Sequence, residues 1–417
     1  MKKYFILILL TLSVLGCENR FSERPEDDKT LLWPAANSTG DSVGFINAEG
    51  KMVIPAVYSQ AHGFCGGKAA VSRNGIKYYI DKRGKQVSSL LADLEFYDSY
   101  FYYGYCRIQN STGRYGMCNS DFDVVIPAEY DDLGMMTKDG LAYFYPNKYS
   151  IGWGYLNQQG EVAIEPKFWV ARDFWDGVAV VGFSTASAIK YGAINTRGEL
   201  VIDTVYQDLI SVGSGVIAYQ PNNSYLYGLM TTDGEILTEP MFYSFSFFGD
   251  CDLMPVRKEF GGPWGYVDKT GQMRIDFRYF SAYPFYDNVA WVIAELDETD
   301  EYGLHHIECR LIDAQGNEIL ALGTGNGGPL INPKSNFHNG LCCVCFYNHK
   351  NEYQYINKKG EIIYSWPYGS EWNPNWHPVT GKHQQILDLS KLFEGTPYYP
   401  LAIQSQQRNE AQSVEMK

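Results

Sequence analysis

Residues 151–181 read IGWGYLNQQGEVAIEPKFWVARDFWDGVAVV, and this stretch sets the reading of the whole chain. Gly152–Leu156 alternates small and apolar residues as a short strand does, and Asn157-Gln158-Gln159-Gly160 ends it as a turn. Glu161–Ile164 is a second strand, stopped by Pro166, whose missing N–H is tolerated only where no ladder bond is needed. Val178–Val181, opened by Gly177, is a third. The stretch therefore predicts a three-stranded antiparallel meander.

The same pattern returns along the chain. Tracked by the last residue of the first turn, it falls at Gly50, Gly84, Phe122, Gly160, Gly198, Gly234, Gly271, Gly316 and Gly360, spaced 34 to 45 residues apart. Such a period marks an array of like units that bury their faces against one another. Three residues before the anchor stands Asn or Asp, or Thr231 in one unit; an Asx side chain bonds the backbone two residues on, and the Gly supplies positive φ. Phe122 has a Cβ, so the third unit is expected to turn differently. Six residues before the anchor stands Gly44, Gly116, Gly154, Gly192, Gly228 or Gly265. A strand Gly signals another backbone or ring close by, here expected from a stacked neighbour. Eight residues after the anchor an aromatic recurs at Tyr58, Tyr130, Phe168, Tyr206, Phe242, Tyr279 and Tyr368, a ladder that reads as structural.

An aromatic-Gly pair, as in Trp153-Gly154 and Trp264-Gly265, followed by two apolar positions, Asx-x-x-Gly, a Pro, an aromatic and G-x-A-x-V, resembles the WG (tryptophan-glycine) β-repeat family of bacteria. The resemblance covers roughly residues 43–368 and weakens where Tyr78, Arg310 and Gln354 replace the strand Gly. It implies an all-β scaffold of binding or unknown function and brings no catalytic residues. We expect about nine three-stranded meanders over residues 32–368 forming an open or superhelical array, because propellers usually have four to eight blades of four strands. A closed β-propeller is the alternative.

The N-terminus suggests a compartment. Lys2 and Lys3 precede an apolar run, Tyr4–Gly16, too short for the roughly 20 residues that span a bilayer. It ends in Leu12-Ser13-Val14-Leu15-Gly16-Cys17, which resembles a bacterial lipobox. Residues 1–16 are thus expected to be a lipoprotein signal peptide, Cys17 the lipidated residue, and 17–31 a flexible tether. The location implied is the cell envelope, membrane-anchored and at the outer membrane. Beyond residue 368 the period fails: residues 369–417 are expected to hold a short helical cap, with Ile386, Leu389, Leu392 and Phe393 on one face, and a polar tail.

With a net charge of −14, the chain would repel phosphate backbones, which argues against nucleic acid. Besides Cys17 there are Cys65, Cys106, Cys118, Cys251, Cys309, Cys342, Cys343 and Cys345. Cys106 and Cys342 fill the slot that Ala69, Ala142, Ala179 and Ala290 fill elsewhere, so they read as small core residues rather than metal ligands. His305-His306 and the isolated His62, His338, His349, His377 and His383 make no pattern with a nucleophile or metal. Residues 295–301, ELDETDE, read as a solvated hairpin tip, and the Gly-rich stretch 321–333 as a surface excursion. No catalytic residue, metal or cofactor is assigned. Aromatics outside the ladder, Tyr97, Tyr100–Tyr103, Trp169, Trp175, Phe245–Phe248, Trp291, Trp372 and Trp376, are candidates for stacking on a ligand or for packing between units. The function expected is a lipid-anchored, non-enzymatic scaffold engaging an envelope protein or glycan through loops on one face. A glycan-binding or glycan-active accessory protein is the alternative, and an unliganded spacer a third.

Overall fold

The structure, a computed structural model, describes residues 31–367 apart from 89–92, 150–151, 187, 300–304, 323, 326–327, 330, 334 and 347–351. Cys17, the tether up to residue 30, Tyr368, Trp372, Trp376 and the expected cap all lie outside the described residues. Within them the fold is all-β, with no helix.

Nine small antiparallel sheets form the blades of a propeller. Blades 1 and 2 (residues 33–58 and 60–81) have three strands; blades 3 to 9 have four, covering 94–130, 132–168, 170–206, 208–242, 244–279, 281–322 and 331–367. The expectation of three strands per unit is corrected here. The additional strand precedes G-x-A-x-V and is as short as Asp132–Leu133 or Ser281–Ala282, too brief to show a period. The quoted stretch also straddles two blades. Trp153–Asn157 and Val162–Phe168 are the third and fourth strands of blade 4, while Val178–Ser184 is the second strand of blade 5.

The last strand of each blade other than blade 2 is its exposed rim, where Val53, Val162, Leu200, Val205 and Ile362 meet solvent on the outward face. Its inward residues Ile54, Ile126, Ile164, Ile202 and Ile275 are buried. The first strand is the opposite edge, which in a propeller faces the axis.

The turn chemistry follows the sequence. Asn157 Oδ1 accepts from the N–H groups of Gln159 and Glu161, both at 2.9 Å, and Gly160 sits at φ 79°. Phe122 makes the same turn, at φ 69° with its N–H on the Asn119 carbonyl, so the third unit does not turn differently. Its neighbour explains the substitution. The anchor Gly of each unit lies on the rim strand of the preceding blade, as Gly198 does on Ile164 and Gly234 on Ile202. Blade 2 has no described rim strand, and Phe122 fills that space against Phe96, Phe101 and Tyr79.

The strand Gly has a different neighbour from the one expected. A Cβ on Gly154 would lie 2.5 Å from the Ile164 carbonyl oxygen, in its own blade's rim strand. Here the rim bulges: Trp153 pairs with Phe168, but Tyr155 pairs with Ile164, so four steps on the rim match two on its partner. The bulge presses backbone onto the Gly and leaves Pro166 outside the ladder. Opposite Arg310 and Gln354, where a side chain replaces Gly, the rim runs in register.

The array is closed, which corrects the open or superhelical arrangement. Tyr355 and Tyr364 of blade 9 donate hydrogen bonds at 2.9 Å to the carbonyls of Pro34 and Ala36 in blade 1. Trp33, Phe45 and Tyr58 share one core with Cys343, Tyr353 and Trp366. An open array would leave those two apolar faces in water at a cost of about 25 cal/mol per Å².

Candidate binding face

An antiparallel meander puts its first and third turns at one end and its second turn, with the passage to the next blade, at the other. The two ends of this propeller differ chemically. At the first, short polar turns are tied blade to blade. Asp176 accepts from Gly215 N–H at 2.8 Å, Ser214 donates to Asp252 at 2.6 Å, Asp250 accepts from Asp287 N–H at 2.6 Å, and Asp287 accepts from Gly340 N–H at 2.6 Å. Lys358 adds an ion pair to Asp287. These carboxylates stitch the ring; among the described residues no three His, Cys, Asp or Glu side chains converge as a metal site would require.

The other end carries the longer and more varied hairpins. Its exposed rings are Tyr149 (83 % exposed), Tyr225 (79 %) and Phe260 (65 %) in the hairpins of blades 4, 6 and 7, with Tyr243 and Phe280 on the connections into blades 7 and 8. Tyr225, Tyr243, Phe260 and Phe280 thus follow one another around neighbouring blades. Residues 295–299 of the acidic stretch lie at the end of the strand Val289–Thr299, in the hairpin that blade 8 forms with His305–Asp313 at the same end.

The densest part of this face surrounds Arg257, the last residue of the second strand of blade 7. Its carbonyl accepts the Tyr243 N–H at 2.9 Å, which brings the two side chains together. The guanidinium lies 5.1 Å from the Trp264 ring centroid, 5.7 Å from Tyr243 and 6.0 Å from Phe260. Tyr243 and Phe260 meet edge to face at 5.8 Å. Gly261, at φ 75°, turns the hairpin so that Phe260 reaches the ring of Tyr243. Arg257 Nε is buried without an acceptor, and burial lowers the side chain's affinity for its proton.

Of the aromatics singled out from the sequence, most pack inside. Trp291 (2 % exposed), Phe101 and Tyr102 are core, Phe245, Phe247 and Phe248 line the contact of blades 6 and 7, and Tyr97 meets Tyr115 edge to face and packs on the Arg107 guanidinium. Trp169 and Trp175 are half-buried. Among the described residues, three of the rings that reach solvent had a visible signal. Tyr149, Tyr225 and Phe260 each sit in a hairpin with Pro, Asn or Gly, as in Pro146-Asn147-Lys148-Tyr149, Pro221-Asn222-Asn223-Ser224-Tyr225 and Phe260-Gly261-Gly262-Pro263, whereas Tyr243 and Phe280 on the connections carry no such mark. The described cysteines are free thiols, all buried except the half-buried Cys251. Burial raises the thiols of Cys106 and Cys309 and lifts Cys342 to about 12, so they behave as core. His62 is buried and His338 half-buried.

The fold has relatives among solved structures. A structure described as the eukaryotic initiation factor is similar at TM-score 0.53 and 11 % identity, over 82 % of this chain and 96 % of its own. Hsv2 of Kluyvelomyces marxianus matches at TM-score 0.33 and 10 % identity, over 65 % and 93 %. A Bacteroides caccae protein of unknown function matches at 0.22 and 14 %, over 61 % and 95 %. At these identities the first likeness concerns the fold alone. No curated protein sequence matches the chain. The WG containing repeat is matched at residues 44–75, 115–145, 153–182, 191–225 and 264–293. The matches that begin in blades 3, 4 and 7 end in the second strand of the following blade, the same straddling that the sequence period shows. The chain carries the WG containing repeat at five places.

Proposed function

We propose that the chain is a non-catalytic binding scaffold, held at a bacterial envelope membrane by lipid on Cys17, that engages a partner protein through the hairpin face. The observation that carries this reading is the asymmetry of the two ends. One end spends its polar groups on the ring itself, while the other exposes Tyr149, Tyr225, Tyr243, Phe260 and Phe280. Exposed aromatics gathered on one surface mark interaction sites. The lipobox-like sequence supports the anchor, and repeat arrays place their variable loops on the binding face.

The test is capture from envelope extract by the full chain and by two variants. One carries Tyr225→Ser and Phe260→Ser on the hairpin face, the other Lys359→Glu and Gln315→Glu at the opposite end. A protein captured by the native chain and the second variant, and lost from the first, is the expected result. Equal capture by all three, or capture of a glycan alone, would overturn the reading.

A further inference from the structure

Among the described residues four arginines lie over aromatic rings, and their partners differ; Arg278, 5.0 Å from the Tyr279 ring, donates to the Tyr279 hydroxyl and to the Gly316 carbonyl, both at 2.8 Å. Arg107, 4.9 Å from the Tyr97 ring, is paired with Asp98 at 2.8 Å. Arg172, 5.3 Å from the Tyr191 ring, is paired with Asp208 at 3.1 Å. Arg257 has three rings around it, and among the described residues no carboxylate pairs with it. Arg107, Arg172 and Arg278 are served by their own chain; Arg257 stands on the exposed hairpin face.

We propose that Arg257, with Tyr243, Phe260 and Trp264, binds the carboxylate of a partner peptide segment, from Glu, Asp or a C-terminus, whose neighbouring side chains are apolar. This deepens the proposed function and rests on it. A guanidinium presents a planar fork of donors matched to a carboxylate, and the rings fix its plane in advance. Phe260 and Phe280 offer no polar group for a sugar hydroxyl, which favours apolar side chains beside the carboxylate. Charge decides between a peptide and a polyanionic glycan. A chain of net charge −14 repels a run of carboxylates but accepts a single one delivered to a cation.

The experiment follows the Arg257 Nε–H resonance of the full chain, assigned by its loss in Arg257→Lys, during titration with capped peptides. One series is apolar-Glu-apolar, a second replaces Glu by Gln, and a third probe is a glucuronic acid trisaccharide. A shift of the Nε–H with the Glu peptide, and at least about tenfold weaker binding of the Gln peptide or of Arg257→Lys, is expected. Equal binding of Glu and Gln peptides overturns the carboxylate assignment while leaving the hairpin face as a binding surface. Tighter binding of the trisaccharide overturns the peptide assignment. No shift with any probe at millimolar concentration overturns the site. Unchanged thermal unfolding of Arg257→Lys keeps the comparison free of folding effects.

Discussion

A Cβ placed on Gly50 in the first blade would lie 2.2 Å from the carbonyl oxygen of Ile363 in the ninth. Gly160 meets the Val125 carbonyl oxygen in the same way, at 2.9 Å, and Gly198 rests on the Ile164 side chain of the preceding rim strand. The seam is thus a further copy of the ordinary blade contact, and nothing in the first blade needs to be specialised to meet the last.

Gly50→Ala tests that closure. The new methyl group meets a backbone atom that cannot rotate away, at φ 77°. Gly66→Ala, at φ 57° with nothing within 4 Å, isolates the backbone cost. Urea unfolding should show a loss of about 1–2 kcal/mol for Gly66→Ala. The loss for Gly50→Ala should exceed it by at least about 1–3 kcal/mol. Equal losses would mean that the seam is not packed as an interior contact.

Phe122→Gly runs against the consensus of its own repeat. Eight anchors are Gly, and the change relieves a positive φ, yet it removes the ring packed on Phe96, Phe101 and Tyr79. Burying a Phe outweighs the backbone term, so stability should fall by about 2–4 kcal/mol. A stabilised variant would show that the ring fills no needed space.

Much of this architecture was legible because its causes are local. The Asx turn at Asn157, the anchor Gly and the cross-strand pair Trp153 and Phe168 each depend on residues close in sequence. Closure was not legible, since Tyr355 and Pro34 are 321 residues apart and neither position carries a local mark. The fourth strand escaped because Asp132–Leu133 is two residues long. The binding face was half legible. Leaving the ladder slots did not make Trp291 exposed, because residues there still face a neighbouring blade, whereas Tyr225 and Phe260 leave the sheet altogether in their hairpins.

Thiol labelling separates core cysteines from the anchor. The thiolate is the reactive form, and burial raises the thiols of Cys106, Cys309 and Cys342. Native protein at about pH 8 should be alkylated at Cys251 and not at these three, which should react only in denaturant. Cys17 of material purified from membranes should stay unlabelled even then, if its sulfur carries lipid. Labelling of Cys17 in denaturant would remove the anchor from the proposal, and rapid native labelling of Cys106 would contradict its burial.

Alkali should unfold the ring through its buried phenols. Burial raises Tyr79, Tyr143, Tyr155, Tyr266 and Tyr355 well above the usual phenol range. A group whose folded pKa is raised holds its proton in the folded state after the unfolded chain has released it. The stability it contributes is complete below the unfolded value of about 10 and is lost as pH rises from there toward the folded value. Phenolate absorbance from these rings should therefore appear together with loss of the β-sheet signal. Tyr155→Phe keeps the ring but removes both the proton and the 2.8 Å hydrogen bond to the Arg172 carbonyl. It should cost about 1 kcal/mol at neutral pH and make the decline above pH 10 shallower by up to one proton. An unchanged slope would show that Tyr155 takes no part in the alkaline transition.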